Sequence, residues 1–270
     1  MNNHAQRVHA YASPMRDPQI EGEQDRRIDF MGVPLDGLTM QETVNRCRVL
    51  AKGTQPAQHV VLNAAKVVTI QNDSRLKEII SSCAVVNADG MAVVWAARLL
   101  GHQVPERVTG IDLFEELVAA AAADGHSIFL LGADEAVVTK TAEVLRARHP
   151  ELKIAGTRNG FWKDDADVIA TVQKAAPNYL FLAIPSPRKE YWLHTNLTAL
   201  GVPFVMGVGG SFDVIAGKTS RAPKLLQKTG LEWTWRLIQE PRRMFMRYWK
   251  GNTAFIKLVL AERKKGKNKK

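Results

Sequence analysis

The chain contains no run of the roughly 18 apolar residues that a helix needs to cross a bilayer, so none of its 270 residues is expected to span a membrane. Cysteine is nearly absent. Cys47 and Cys83 stand alone in apolar contexts, which excludes a disulfide framework and reads as buried, reduced thiols. The polar stretch Met1–Arg27 lacks the apolar core of a signal peptide and reads as a disordered leader. Histidines at 59, 102, 126, 149 and 194 follow no metal-ligand spacing, and no DxD pair of the kind that holds Mg²⁺ against a sugar nucleotide follows a strand. Asp164-Asp165-Ala166-Asp167 reads instead as the acidic start of a helix. The dinucleotide fingerprint GxGxxG is missing too, which speaks against a nucleotide-dependent oxidoreductase. No internal repeat occurs, and only the Lys-rich end is low in complexity.

What is present is the composition of a soluble globular chain, 46% hydrophobic and 24% charged, with a formal net charge of +10. That charge is localised. From Arg242 to Lys270 eleven Lys and Arg face one acid, Glu262, so the tail carries the whole excess and the body is near neutral. A basic segment of this kind seeks an anionic surface, either phospholipid or nucleic acid.

The body alternates short apolar runs with amphipathic stretches, the pattern of an α/β fold with a Rossmann-like, mostly parallel sheet. Strands are expected at His59–Leu62, Ala84–Asn87, Ser127–Leu131, Lys153–Thr157, Tyr179–Ile184 and Pro203–Val208. Helices are expected at Thr39–Ala51, Ala92–Leu100, Ile111–Ala123, Glu135–Arg148, Ala166–Ala176 and Lys189–Ala199. Continuous runs such as Val60-Val61-Leu62 suit strands covered on both faces. Asn63, Asp89-Gly90, Gly132 and Gly209-Gly210 each follow a strand, where open α/β sheets bind ligands, so four loops are expected to share a crevice.

Asp89 ends a strand just before a helix, a place for a general base or for a helix N-cap. Asn63 offers a donor and an acceptor for a substrate hydroxyl, or caps the helix that begins near Ala64. In Gly207-Val208-Gly209-Gly210-Ser211-Phe212-Asp213 the glycines permit close approach to a diphosphate, or simply make a tight turn. Arg107 is either a phosphate clamp or a solvated surface arginine. Lys189, in Pro185-Ser186-Pro187-Arg188-Lys189-Glu190, follows another strand end and suits an anionic ligand, or belongs to an exposed charged loop.

The last part of the chain interleaves Trp233, Trp235, Phe245, Tyr248, Trp249 and Phe255 with Arg236, Arg242, Arg243, Arg247, Lys250 and Lys257. Such a mixture suits a lipid headgroup layer, a helix packed on the body, or RNA. Pro241 breaks or starts a helix there, and Gly251-Asn252-Thr253 is expected to interrupt the terminal one. The expected division is a leader (1–28), a Rossmann-like domain (29–229) and a basic aromatic appendage (230–270).

Val61-Leu62-Asn63-Ala64, Asn87-Ala88-Asp89-Gly90, Arg107-Val108-Thr109-Gly110, Gly207–Asp213, Arg221-Ala222-Pro223, and Gly230-Leu231-Glu232-Trp233 through Glu240-Pro241-Arg242-Arg243 occur in one order. As a set they resemble the WecG/TagA/CpsF family of glycosyltransferases, from about Phe30 to Leu260. The resemblance implies inverting, metal-independent transfer of a sugar from a UDP donor to an undecaprenyl-diphosphate-linked sugar, with no cofactor. It also implies a membrane-associated appendage at the inner face of the bacterial plasma membrane and no nucleic-acid partner. Asp89 then matches a catalytic base, Asn63 a pocket residue near the reacting sugar, Arg107 a diphosphate-binding arginine and Asp213 an acid at the nucleotide end. Lys189, the Gly209-Gly210-Ser211 turn, and Arg221 or Arg236 are the further candidates for holding the diphosphate. Many members carry a hydroxyl residue at Val61 and Gln at Lys189, so the donor sugar is left open. A nucleic-acid-binding protein using the basic tail is the alternative that the residues themselves allow.

Overall fold

The computed structural model describes residues 26–223, 226–227, 232–239 and 241–267, without the side chains of Trp233, Arg236, Gln239, residues 241–250 and residues 266–267. Residues 1–25 of the expected leader, the expected boundary at 229–230 and the basic and aromatic side chains from Arg242 to Lys250 lie outside the described residues.

The chain enters through an antiparallel hairpin, β1 (Arg27–Phe30) and β2 (Val33–Asp36). Its first strand thus begins two residues inside the segment read as leader. Phe30, Val33 and Leu35 are buried, and Asp36 accepts a 2.7 Å hydrogen bond from the Val86 amide on the edge strand of the main sheet. The buried Asp36 carboxylate is balanced by Arg27 at 3.0 Å and Arg46 at 3.6 Å. The hairpin therefore covers a sheet edge that would otherwise present an unpaired N–H.

Next come α1 (Met40–Lys52), β3 (Ala57–Leu62), α2 (Ala64–Ile70), α3 (Ser74–Ser82), β4 (Val85–Ala88), α4 (Met91–Leu99) and α5 (Gly110–Asp124). They are followed by β5 (Ser127–Gly132), α6 (Glu135–Arg148), β6 (Lys153–Arg158), α7 (Asp165–Ala175), β7 (Tyr179–Ala183), α8 (Arg188–Leu200), β8 (Phe204–Gly207) and α9 (Ser211–Ile215). The six strands β3–β8 form one parallel sheet in the order β4-β3-β8-β7-β5-β6. Both faces are covered. Ile128, Leu130, Tyr179, Phe181, Phe204 and Met206 point into one core with α1, α5, α6 and α9, while Phe129, Leu131, Leu180, Leu182 and Val205 point into another with α7 and α8. Period-two side chains buried on both sides explain the unbroken apolar runs. Asp164 caps α7, its side chain accepting from the Ala166 amide, as the acidic cluster there suggested.

The chain ends in α10 (Glu232–Gln239) and α11 (Pro241–Lys267). The expected break at Gly251-Asn252-Thr253 is absent: α11 runs through it, because the segment beyond packs on the body. Phe255 and Val259, one turn apart, are buried with Val67 and Ile70 of α2, and such tertiary burial outweighs the ~1 kcal/mol helix cost of one glycine. No helix among the described residues is long and apolar enough to cross a membrane.

Candidate active site

Three adjacent strands, β4, β3 and β8, end side by side, and parallel register aligns Leu62 with Ala88. Asn63 and Asp89 are therefore neighbours at the carboxyl edge, and the Asp89 amide donates to the Leu62 carbonyl at 2.8 Å. Gly132 does not join them. β5 lies two strands beyond β8, and a Cβ at Gly132 would fall 2.5 Å from the Ala183 carbonyl oxygen, so this glycine serves a close approach of two backbones.

Asn63 caps α2. Its Oδ1 accepts from the Lys66 amide at 2.9 Å, which leaves the Nδ2 donors to meet a ligand. Asp89 does not cap the helix that follows it; Gly90 holds that position, with no side-chain hydrogen bond. Its Oδ1 accepts instead from the amide of Gly110, the first residue of α5, at 3.1 Å. Burial lifts the Asp89 carboxyl above the ordinary aspartate range, against the Gly110 hydrogen bond and the charges of Lys66, Lys189 and Arg107. A carboxyl held so is a better proton acceptor than a solvated aspartate. Val61 packs beside this contact, its Cγ2 3.8 Å from where a Gly110 Cβ would lie.

Lys189 is buried, not part of an exposed loop; only Arg188 of that charged pair faces solvent. Its Nζ donates to the Gly207 carbonyl at 3.0 Å and reaches within 3.6 Å of a Cβ placed on Gly209. Burial, helped by repulsion from Lys66, lowers the amine to about 8, while Glu190 and Asp89 work the other way. Sequence reasoning missed the group that makes this burial tolerable. Glu190, 2% exposed, lies 2.7 Å from the Nζ of buried Lys66 and 3.9 Å from that of Lys189. Burial alone would raise the Glu190 carboxyl, but the two ammonium groups hold it below the usual range. No spacing in the sequence joins Lys66 to a residue so far along the chain; adjacency to Lys189 was the one available signal.

The Gly209-Gly210-Ser211 turn is held by its own hydrogen bonds. Gly209 takes φ +56°, but the Ser211 hydroxyl turns inward to the Val208 carbonyl at 2.8 Å, and its amide donates to the same carbonyl. Ser211 thus secures the turn. Asp213 is partly exposed and lies 3.6 Å from Lys218, which also pairs with Asp134 at 2.7 Å.

Arg107 is a clamp, though on the protein's own groups. It donates to Glu232 at 3.0 Å and to the Gln227 carbonyl at 2.8 Å, with its side chain 14% exposed. Arg221 joins the same cluster, 2.6 Å from Asp112 and 3.5 Å from Glu232. Its contact with Asp112 is close but off the hydrogen-bond direction, an ion pair without a directed bond. Glu232 was part of a sequence motif but carried no expected role. The side chain of Arg236 lies outside the described residues.

The arrangement supplies an acid–base group (Asp89) and an amide donor (Asn63). It adds a buried ammonium (Lys189) and two arginines gathered around one carboxylate. Among the described residues no three His, Cys, Asp or Glu side chains lie close enough together to hold a metal ion.

A profile described as the glycosyl transferase WecG/TagA/CpsF family matches residues 28–269. Three proteins named N-acetylglucosaminyldiphosphoundecaprenol N-acetyl-beta-D-mannosaminyltransferase are similar to the chain. One from Bacillus subtilis (strain 168) is 33% identical over 193 residues, 72% of this chain and 73% of its own length. One from Staphylococcus aureus (strain MW2) is 29% identical over 220 residues, 81% and 87% of the two chains. One from Bacillus spizizenii (strain ATCC 23059 / NRRL B-14472 / W23) is 31% identical over 187 residues, 69% and 71%.

Proposed function

The chain belongs to the WecG/TagA/CpsF family of glycosyltransferases, and from that membership we propose that it moves a sugar from a UDP-sugar onto a polyprenyl-diphosphate-linked saccharide, with inversion, in the synthesis of a bacterial cell-surface polysaccharide. The similar proteins are named for an N-acetylglucosaminyldiphosphoundecaprenol acceptor, which supports an acceptor of that class here. The observation that carries the mechanism is Asp89, a carboxyl raised by burial at a strand end, with Lys189 and Arg107 as the nearby cations.

In this reading Asp89 takes the proton of the acceptor hydroxyl while that oxygen forms its bond to the anomeric carbon. The bond from that carbon to the UDP oxygen breaks on the opposite face, so configuration inverts and UDP leaves as an anion. Lys189, Arg107 and Arg221 stabilise the departing diphosphate. Arg236 is a further candidate. Asn63 steadies a sugar hydroxyl through its Nδ2 donors. Asp213 stands at the nucleotide end, and the Gly209-Gly210 turn gives the diphosphate room.

The basic appendage is assigned to the anionic inner face of the plasma membrane, where each Lys or Arg near the surface adds about 1 kcal/mol. Docking there brings the site to its lipid-linked acceptor. The test of the activity is UDP release from a panel of UDP-sugars, with and without a polyprenyl-diphosphate-linked sugar, for wild type and Asp89→Asn. Acceptor-dependent release from one donor, lost in the variant with UDP binding kept, upholds the reading. Release independent of acceptor, or none from any donor, overturns it.

A further inference from the structure

α4 starts beside Asp89 and is unusual for a surface helix. One of its faces, with Val93, Val94, Ala96 and Ala97, is buried in the core. Its outer face should be polar, but it carries Trp95, 55% exposed, and Leu99, 45% exposed, one turn apart. Arg98, the one charged residue of the helix, turns its guanidinium to the carbonyls of Val104 and Pro105. From Met91 to Leu99 the apolar stripe runs about 12 Å at the standard helical rise.

At its far end the stripe enters a groove of about 830 Å³ between α4, the β1–β2 turn and the last turns of α11. Met31, Leu99, Leu100, Leu258 and Ala261 are the apolar part of its lining. Lys77, Arg263 and Lys265 stand on its rim. Two acids, Asp29 and Glu262, stand against these three cations, and Glu262 pairs with Lys265, so the groove keeps a small net positive charge.

We propose that this stripe and groove hold the isoprenoid chain of the acceptor, with Trp95 and Leu99 as its contact residues. The inference rests on the acceptor class proposed above. A sugar and a diphosphate together span about two helical turns, on the order of 10 Å. With the acceptor hydroxyl at Asp89, hydrocarbon therefore begins near Trp95. The apolar track starts where the lipid must start and leads away from the site, toward a groove whose small net positive charge suits the surrounding anionic headgroups.

The test uses full-length protein and two acceptors, N-acetylglucosamine diphosphate carrying a farnesyl or a methyl group. Wild type should have a KM for the farnesyl acceptor lower by about tenfold or more, from the apolar area buried. In the Trp95→Glu, Leu99→Glu double variant, whose altered side chains are exposed, that ratio should fall to about twofold. An unchanged ratio overturns the proposal. Wild type that uses the methyl acceptor as well as the farnesyl one upholds the activity and overturns the lipid track. If neither acceptor is used, a direct measurement decides. Cys47 and Cys83 are both buried, so a polarity-sensitive dye labels Leu99→Cys selectively. A saturable blue shift with farnesyl diphosphate, abolished by Trp95→Glu, supports the track. No shift, or the same shift with phosphatidylglycerol vesicles lacking any isoprenoid, overturns it, the latter assigning the face to the bilayer.

Discussion

Glu232 lies between Arg107 and Arg221, one carboxylate oxygen 3.0 Å from the first guanidinium and the other 3.5 Å from the second. The two arginines assigned to an incoming diphosphate are thus gathered around an internal anion that comes from α10. A ligand with more charge must displace or share that carboxylate. Glu232→Gln should accordingly bind UDP about two- to fivefold more tightly, matching the loss of a partly exposed ion pair worth about 0.5–1 kcal/mol. Titration calorimetry reads this directly. Weaker binding would instead mean that Glu232 holds the arginines in position.

Asp89→Asn should lower kcat by about 10²–10⁴-fold, the usual reach of general-base catalysis. Asparagine keeps an oxygen for the Gly110 amide, so the fold should survive. The folded carboxyl is raised by burial, so ionising it costs stability as pH climbs through its folded pKa. The variant should therefore melt at or above the wild-type temperature near neutral pH, and the difference should vanish below the ordinary aspartate range. Calorimetry at several pH values checks both ends, and a lower melting temperature near neutral pH would sink the argument.

Lys189 sets the alkaline side. Its folded amine sits at about 8, so the cation is present below that and lost above it. kcat/KM should decline above about pH 8, and Lys189→Gln should remove that limb while raising the donor KM about tenfold, the scale of one hydrogen bond to a charged group. A pH profile of the variant with the same alkaline limb would assign it to another group.

Glu190→Gln leaves Lys66 and Lys189 buried without their shared counter-ion. Breaking a buried pair from one side costs about 3–5 kcal/mol, readable as a lower midpoint in urea. Because Glu190 favours the charged form of Lys189, the alkaline limb should also move to lower pH. A merely structural role would lower stability and leave that limb in place.

Much of this fold was legible because its strands are buried on both faces and so stand out as apolar runs; Glu135–Arg148 is a helix over the very span its periodicity indicates. The β1–β2 hairpin was not legible. Its strands are four residues each, and their role depends on Asp36 reaching the Val86 amide, a contact without a local signature. In the candidate site, Asp89, Asn63 and Lys189 stood out in the sequence by following strands. Lys66, Glu190 and Glu232 did not, because each matters through a partner distant in sequence. The break expected at Gly251 failed for a related reason: Phe255 and Val259 find a core that helix propensity does not register.

The seven-residue helix α2 is capped by Asn63 and receives Phe255 and Val259 of α11 on its buried side. The terminal segment and the candidate pocket therefore stand on a common footing. Shortening the tail ahead of Phe255 would take away more than the proposed membrane contact: it would strip the support from beneath one wall of the candidate pocket. A truncated chain that loses activity must be checked for the seating of α2 before the loss is credited to the bilayer.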